Sequence, residues 1–367
     1  MKTLRLIFAS ALLLAFVLSS PLRAQSTYTS ARKYLAQPAE WYRGEEAKRI
    51  AEVVLSYQAA DGGWPKNTDT AGKPYAGAPE RLRSTFDNAA TTDELRLIAR
   101  MATHAKEPRY VESFNKGLDL ILKAQYPNGG WPQYYPPPST GYNKYITYND
   151  GCMIRLMFFI REVSRDDEIF GFVDPAKRQA CAAAWDRGIE CVLKTQVKVD
   201  GKLTSWCAQH DDVTFEPRPA RDFEPLSLSA CESIGIVHAL MAIEKPSPEV
   251  IASVDACRAW LEAVKIPGIK VEDRKQEGTP RGFERFVVKD PSAPPMWGRF
   301  HEIGTNKPIF SDRDSVVKYD LSEIGVERRT GYKWLGYWPK NFLEKEYPEW
   351  KARVEGKATA AAEKFVD

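Results

Sequence analysis

An internal repeat limits what this chain can fold into more than any other feature. Leu55-Ser56-Tyr57-Gln58 is followed by Asp61-Gly62-Gly63-Trp64-Pro65, and Leu122-Lys123-Ala124-Gln125 by Asn128-Gly129-Gly130-Trp131-Pro132. A weaker third copy runs Leu193-Lys194-Thr195-Gln196, then Asp200-Gly201 and Trp206. The glutamines stand 67 and 71 residues apart, room for two helices and their loops in each unit. A single helical hairpin cannot bury its apolar face alone, so successive units must stack.

Apolar spacing supports helices in these units. Ile50, Val53, Val54 and Tyr57 follow the i, i+3, i+4, i+7 pattern, and Phe114, Leu118, Ile121 and Leu122 share one helical face at i, i+4, i+7, i+8. Further helices are predicted over 88–104, 150–164, 176–196, 226–244 and 247–264. Thr91 with Glu94 fits a capping box, and Pro175 and Pro248 sit where helices like to begin. Helical texture runs from about residue 38 to residue 265. Residues 267–340 instead show short alternating runs, such as Gly282 to Val288, broken by proline, glycine and charge. The expectation is a mainly α protein with one domain over 25–367, long loops and a few short strands.

A second repeat lies inside the first. Thr85-Phe86-Asp87-Asn88 and Thr147-Tyr148-Asn149-Asp150 each open the second helix of a unit, and Thr214-Phe215-Glu216 is the expected third copy. Equivalent positions in stacked hairpins fall on one rim, so these oxygen-rich groups converge. Each could cap a helix, or together they could serve a hard cation such as calcium. Arg218 and Arg221 lie in a polar loop, 211–224, predicted on the same rim. Arg299 and Arg313 stand in loop-like sequence, where guanidinium forks suit carboxylates but exposed ion pairs are also common. Trp64 and Trp131 either pack beneath their turns or stack on a sugar. His104 and His238 read as structural, leaving His210 and His301 as candidates. Nucleophile-elbow, phosphate-loop, dinucleotide-binding and H-E-x-x-H patterns are missing from the sequence.

The charge balance turns on the first 24 residues. Lys2 and Arg5, the apolar run Leu6 to Leu18, and small residues up to Ala24 read as a removable secretory segment. The run is too short for the ~20 residues that span a bilayer. Arg23 is the third base there, and the segment holds no acid. Taking these three from 52 lysines and arginines leaves 49 against 49 acidic residues, a neutral chain that disfavours nucleic acid. Export to the periplasm or the medium and a monomeric state are expected. Most of the six cysteines sit in apolar, helix-like stretches without a C-x-x-C pair, which favours buried thiols over bridges or zinc.

Taken together, Thr85 to Thr92, Tyr148-Asn149-Asp150-Gly151, Pro219-Ala220-Arg221-Asp222-Phe223-Glu224, and the pair Arg299 and Arg313 resemble the pectate lyases of polysaccharide lyase family 10. The likeness spans about residues 35–345. It implies an incomplete α/α toroid and calcium-dependent β-elimination of polygalacturonate. By that resemblance Asp87 and Asp150 would bind calcium, with Asn88 assisting or contacting substrate. Arg221 would be the base, and Arg299 and Arg313 would hold uronate carboxylates. The competing reading is a glycoside hydrolase on the same toroid, with two carboxylates as acid and base. A pectin-binding protein without catalysis is a third.

Overall fold

The computed structural model describes residues 30–357, so the expected export segment lies outside the described residues. Seven helices form the repeat array: α1 (Glu45–Ser56), α2 (Thr92–His104), α3 (Pro108–Ala124), α4 (Cys152–Arg165), then, after the short α5 (Asp167–Phe170), α6 (Pro175–Thr195), α7 (Glu232–Met241) and α8 (Pro248–Ala263). Proline opens α3, α6 and α8, where its missing N–H costs nothing. Helices α2, α4 and α7 pack in series as an inner row. Around them α1 and α3 lie on α2, α6 lies on α4, and α8 lies on α7. The result is an incomplete α/α toroid of three hairpins.

The repeat residues fasten this array. Each glutamine amide donates to a carbonyl of its own loop and to one in the next outer helix: Gln58 to Gly62 and Ser113, Gln125 to Gly129 and Ala184, Gln196 to Thr204 and Ser253, all at 2.8–3.0 Å. Each tryptophan is fully buried, and its Nε1 donates into the last turns of the preceding outer helix. Trp64 bonds Val54 O, Trp131 bonds Ile121 O and Trp206 bonds Val192 O. The sugar-stacking option for Trp64 and Trp131 is thereby excluded. Gly62 has φ +104°, and a Cβ there would stand 2.6 Å from Lys116 O, so only glycine fits between the loop and α3. A fourth tryptophan, Trp297, makes the same bond to Leu261 O of α8 at 2.8 Å. The sequence pattern alone did not reveal this copy.

Rim segments are stitched between neighbouring units. The amide N–H after the rim threonine or serine donates to the carbonyl two residues past the next tryptophan: Phe86 to Gln133, Tyr148 to Ala208, Ala230 to Arg299. The same register identifies the true third copy. Thr85, Thr147 and Ser229 N–H groups donate to Trp64, Trp131 and Trp206 carbonyls. The third rim motif is therefore Ser229-Ala230-Cys231-Glu232, not Thr214-Phe215-Glu216. Thr214 lies in a loop turn closed by the Asp211 carboxylate, which accepts from the Val213 and Thr214 N–H groups. Two further expectations need correction. Helices α2 and α7 start later than predicted because the rim motifs occupy their expected first residues. Thr91 does not cap α2, since its φ is +73° and its Oγ1 joins Trp64 N–H to Thr85 O, while Glu94 is buried against Thr70.

Past α8 the chain builds a smaller core of Phe223, Met296, Phe300, Phe310, Trp334 and neighbours. A hairpin pairs Ile269–Lys275 with Phe283–Lys289. A four-stranded sheet runs in the order Val317–Lys318, Pro308–Ser311, Phe300–His301, Leu228–Ser229, joining this region to the third rim motif. Helix α9 (Val326–Gly331) follows. The unpredicted α10 (Tyr347–Val354) returns to the array, where Lys351 pairs with Asp255 and Arg353 donates to Met241 O. All six cysteines are free, as expected for buried thiols.

Candidate active site

Two single-turn segments, Asp87–Ala89 and Asn149–Gly151, pack against each other, and the second packs against the start of α7. Asn88 and Asp150 occupy the same place in the register, and both are left-handed, with φ +53° and +52°. Such a conformation costs most L-residues roughly 1–2 kcal/mol, and Asn and Asp tolerate it best. The two acids thus sit one register position apart: Asp87 corresponds to Asn149, and Asp150 to Asn88.

Asp87 is 3% exposed. One carboxylate oxygen pairs with Lys66, and the other, Oδ1, is buried without a hydrogen-bond partner. Burial would lower the Lys66 pKa, but Asp87 outweighs it and holds the ammonium above its ordinary range. Asp150 accepts from Asn149 Nδ2 and from Arg299, each at 3.1 Å. Both acids act on the buried Cys152 thiol, whose pKa is raised by burial first and then by Asp87 and Asp150.

Arg299 joins these turns to a wall of arginines. Arg221 grips Glu224 with two guanidinium nitrogens, Nε lying 2.8 Å from Oε2. Tyr332 donates its hydroxyl to Glu224 at 2.7 Å. Burial pushes the Arg221 pKa down, yet Glu224 more than reverses this and keeps the guanidinium firmly protonated. Arg299 is 7% exposed and meets Glu232, Asp150 and the Asn149 amide oxygen, with its Nε unpartnered. Arg313 is exposed and pairs with Glu327 at 3.3 Å. Two rings gather these cations. Arg221, Arg313 and Arg328 approach the Phe223 ring to 4.8, 5.6 and 4.3 Å, while Arg299 lies 4.7 Å and Arg221 5.8 Å from that of Tyr332.

The fold therefore brings Asp87, Asn88 and Asp150 onto one rim and Arg221, Arg299 and Arg313 onto two adjoining rings, joined by the contact of Arg299 with Asp150. The histidine candidates are not part of it. His210 accepts from Cys207 N–H and donates to Phe215 O, and burial lowers its pKa to about 4. His301 is enclosed among Trp260 and the Gly298 and Asn306 carbonyls. His104 stacks on Tyr42, and His238 pairs with Glu346, both structural as expected. Sequence reasoning did not single out Lys66, Glu232 or Tyr332. Lys66 and Arg299 were findable, because each stands two residues after a repeat tryptophan.

A pectic acid lyase family model matches residues 58–343. A search of curated proteins gives no match. Among solved structures, a family 10 polysaccharide lyase from Cellvibrio cellulosa superposes with a TM-score of 0.73 at 30% identity, over 88% of this chain and 97% of that one. A mutant of the Cellvibrio cellulosa family 10 lyase, in complex with trigalacturonic acid, gives 0.73 and 30%, over 87% and 98%. With the family model covering most of its length and a solved family 10 lyase 30% identical over the greater part of both chains, the chain belongs to the pectic acid lyases of polysaccharide lyase family 10 and is a polysaccharide lyase.

Proposed function

We propose that this enzyme cleaves polygalacturonate by calcium-dependent β-elimination, with Arg221 as the base. One observation carries the reading: a buried carboxylate with an unpartnered oxygen, Asp87 Oδ1, lies on turns that also bear Asp150, which Arg299 meets at 3.1 Å. Hard cations favour several oxygens. Asp87 and Asp150 fit calcium, with Asn88 and substrate oxygens completing the set. When bound, the ion would neutralise the uronate carboxylate and acidify the adjacent C5–H.

The protein's own groups supply the rest. Arg299 and Arg313 orient uronate carboxylates through bidentate contacts. Arg221 takes the C5 proton, the released pair forms the C4–C5 double bond, and the C4–O bond breaks to leave an unsaturated uronide. The glycosidic oxygen then acquires a proton from water or a neighbouring acid. Arginine is seldom available as a base at neutral pH, because a pKa above 12 keeps nearly every guanidinium protonated. In the arrangement described Arg221 is further stabilised as a cation by Glu224, so it must leave Glu224 and give up a proton to solvent before it can accept the one from C5. An alkaline optimum follows.

The hydrolase alternative needs a free carboxylate pair. Here Asp87, Glu224 and Glu232 each answer a cation, and Asp150 answers Arg299, which leaves that reading without support. An assay of ultraviolet-absorbing product on polygalacturonate, with and without EDTA, tests the proposal. Absorbance that rises and is abolished by chelation supports it. Reducing ends without absorbance would mean hydrolysis, and absorbance insensitive to EDTA would remove calcium.

The same reading places the enzyme outside the cytoplasm after loss of residues 1–24. Among the described residues no helix is long and apolar enough to cross a membrane. N-terminal sequencing of protein recovered from the periplasm or medium checks this, and an intact Met1 would refute it.

A further inference from the structure

The loop between tryptophan and rim motif supplies the groove in every unit. In the third unit it carries Arg221, in the second Tyr134 and Tyr142, and in the first Lys66, Arg81 and Arg83. The first-unit loop closes a cleft of about 510 Å³, lined by Tyr57, Lys66, Tyr75, Arg81, Arg83 and Tyr134. This cleft abuts the proposed reaction centre through Lys66, which pairs with Asp87.

The charges at the two ends differ in kind. Lys66, Arg221, Arg299 and Arg313 are each answered by a carboxylate. Arg81 and Arg83, both exposed, have no carboxylate in ion-pair reach among the described residues. Arg83 lies 4.1 Å over the Tyr134 ring, which holds the guanidinium at the cleft without neutralising it. Two uncompensated arginines among tyrosines suit an anionic sugar: a fork for the carboxylate and a ring face for the pyranose.

We propose that this cleft is an outer subsite, adjoining the proposed reaction centre, that binds a further uronate of the same polysaccharide chain. The proposal rests on the pectate reading above. It makes the enzyme favour longer substrates, because sugars added beyond those held at Arg221 and Arg299 gain the contacts of Arg81 and Arg83.

The test measures affinity by calorimetry in EDTA, and kcat/KM with calcium, for galacturonate oligomers of increasing length. It compares the full enzyme with Arg81→Ala/Arg83→Ala and with Arg81→Lys/Arg83→Lys. The wild type should prefer long oligomers over the trimer, and the alanine double variant should lose about tenfold of that preference. Lysines should restore part of it, with unchanged thermal unfolding in both. A wild type with no length preference, or an alanine variant that retains it, overturns the subsite. A wild type that neither binds nor cleaves any galacturonate oligomer overturns the pectate reading instead.

Discussion

The two sides of the groove are built by different means. The acid rim is made by repetition: the same backbone bonds recur from unit to unit, and left-handed turns at Asn88 and Asp150 place its oxygens. The arginine wall follows that template only at Arg299, whose carbonyl accepts the recurring bond from Ala230. Arg221, Arg299 and Arg313 come from three separate segments and are positioned by Glu224, Glu232, Glu327, Phe223 and Tyr332. A rim fixed by main-chain bonds tolerates side-chain change, whereas a wall fixed by ion pairs depends on every partner.

That contrast can be broken at its strongest point first. Arg221→Ala should cut turnover by about 10²–10⁴-fold while leaving oligogalacturonate affinity within a few-fold; a variant with near-normal turnover would remove Arg221 as the base. Next, Glu232→Ala strands Arg299 in a buried site and should cost roughly 3–5 kcal/mol in denaturant unfolding. Thr91→Ala, which cuts two rim bonds, should cost only about 1–3 kcal/mol; equal losses would erase the distinction between wall and rim. Tyr332→Phe removes one hydrogen bond to the carboxylate that holds Arg221, and about a tenfold change in kcat with little change in KM is expected.

Two pH slopes of opposite sign extend the comparison. Burial, reinforced by Asp93, raises Glu94 behind the rim to about 8. Its contribution is complete below its unfolded value near 4.5 and is lost as pH rises through about 8, so stability should decline over that window. Glu94→Gln should flatten the decline in thermal melts. Asp211, in the Arg221 loop, is lowered to about 2 by the Thr214 N–H first and Arg218 later. Its contribution is present above its unfolded value near 3.8 and disappears as pH falls through about 2. Loop protection followed by hydrogen exchange should weaken in acid but hold in alkali.

Legibility from sequence followed the same divide. The tryptophan, glutamine and glycine repeats announced the hairpin array, and the Thr-aromatic motif located Asp87 and Asp150, because main-chain stitches demand fixed residue types at fixed offsets. The third rim motif escaped notice because serine and small residues replace threonine and the aromatic, while Thr214-Phe215-Glu216 imitates the pattern in an ordinary turn. Glu232 and Tyr332 were hidden for another reason. Their importance lies in partners 67 and 108 residues away, Arg299 and Glu224, and no local pattern encodes such distances.

The tryptophan anchors also bear on how such an enzyme can change. The indole and the carbonyl it meets are 10, 10, 14 and 36 residues apart in the four copies, yet each bond is 2.7–2.9 Å long. Chain length between helix end and anchor is therefore almost free to vary, since a longer surface loop adds little closure entropy. The last copy has accepted the whole 269–289 hairpin there without disturbing Arg299, two residues beyond the anchor. These intervals are natural docking points for foreign segments, where a new carbohydrate-contacting element could be spliced in with the reacting groups left in register.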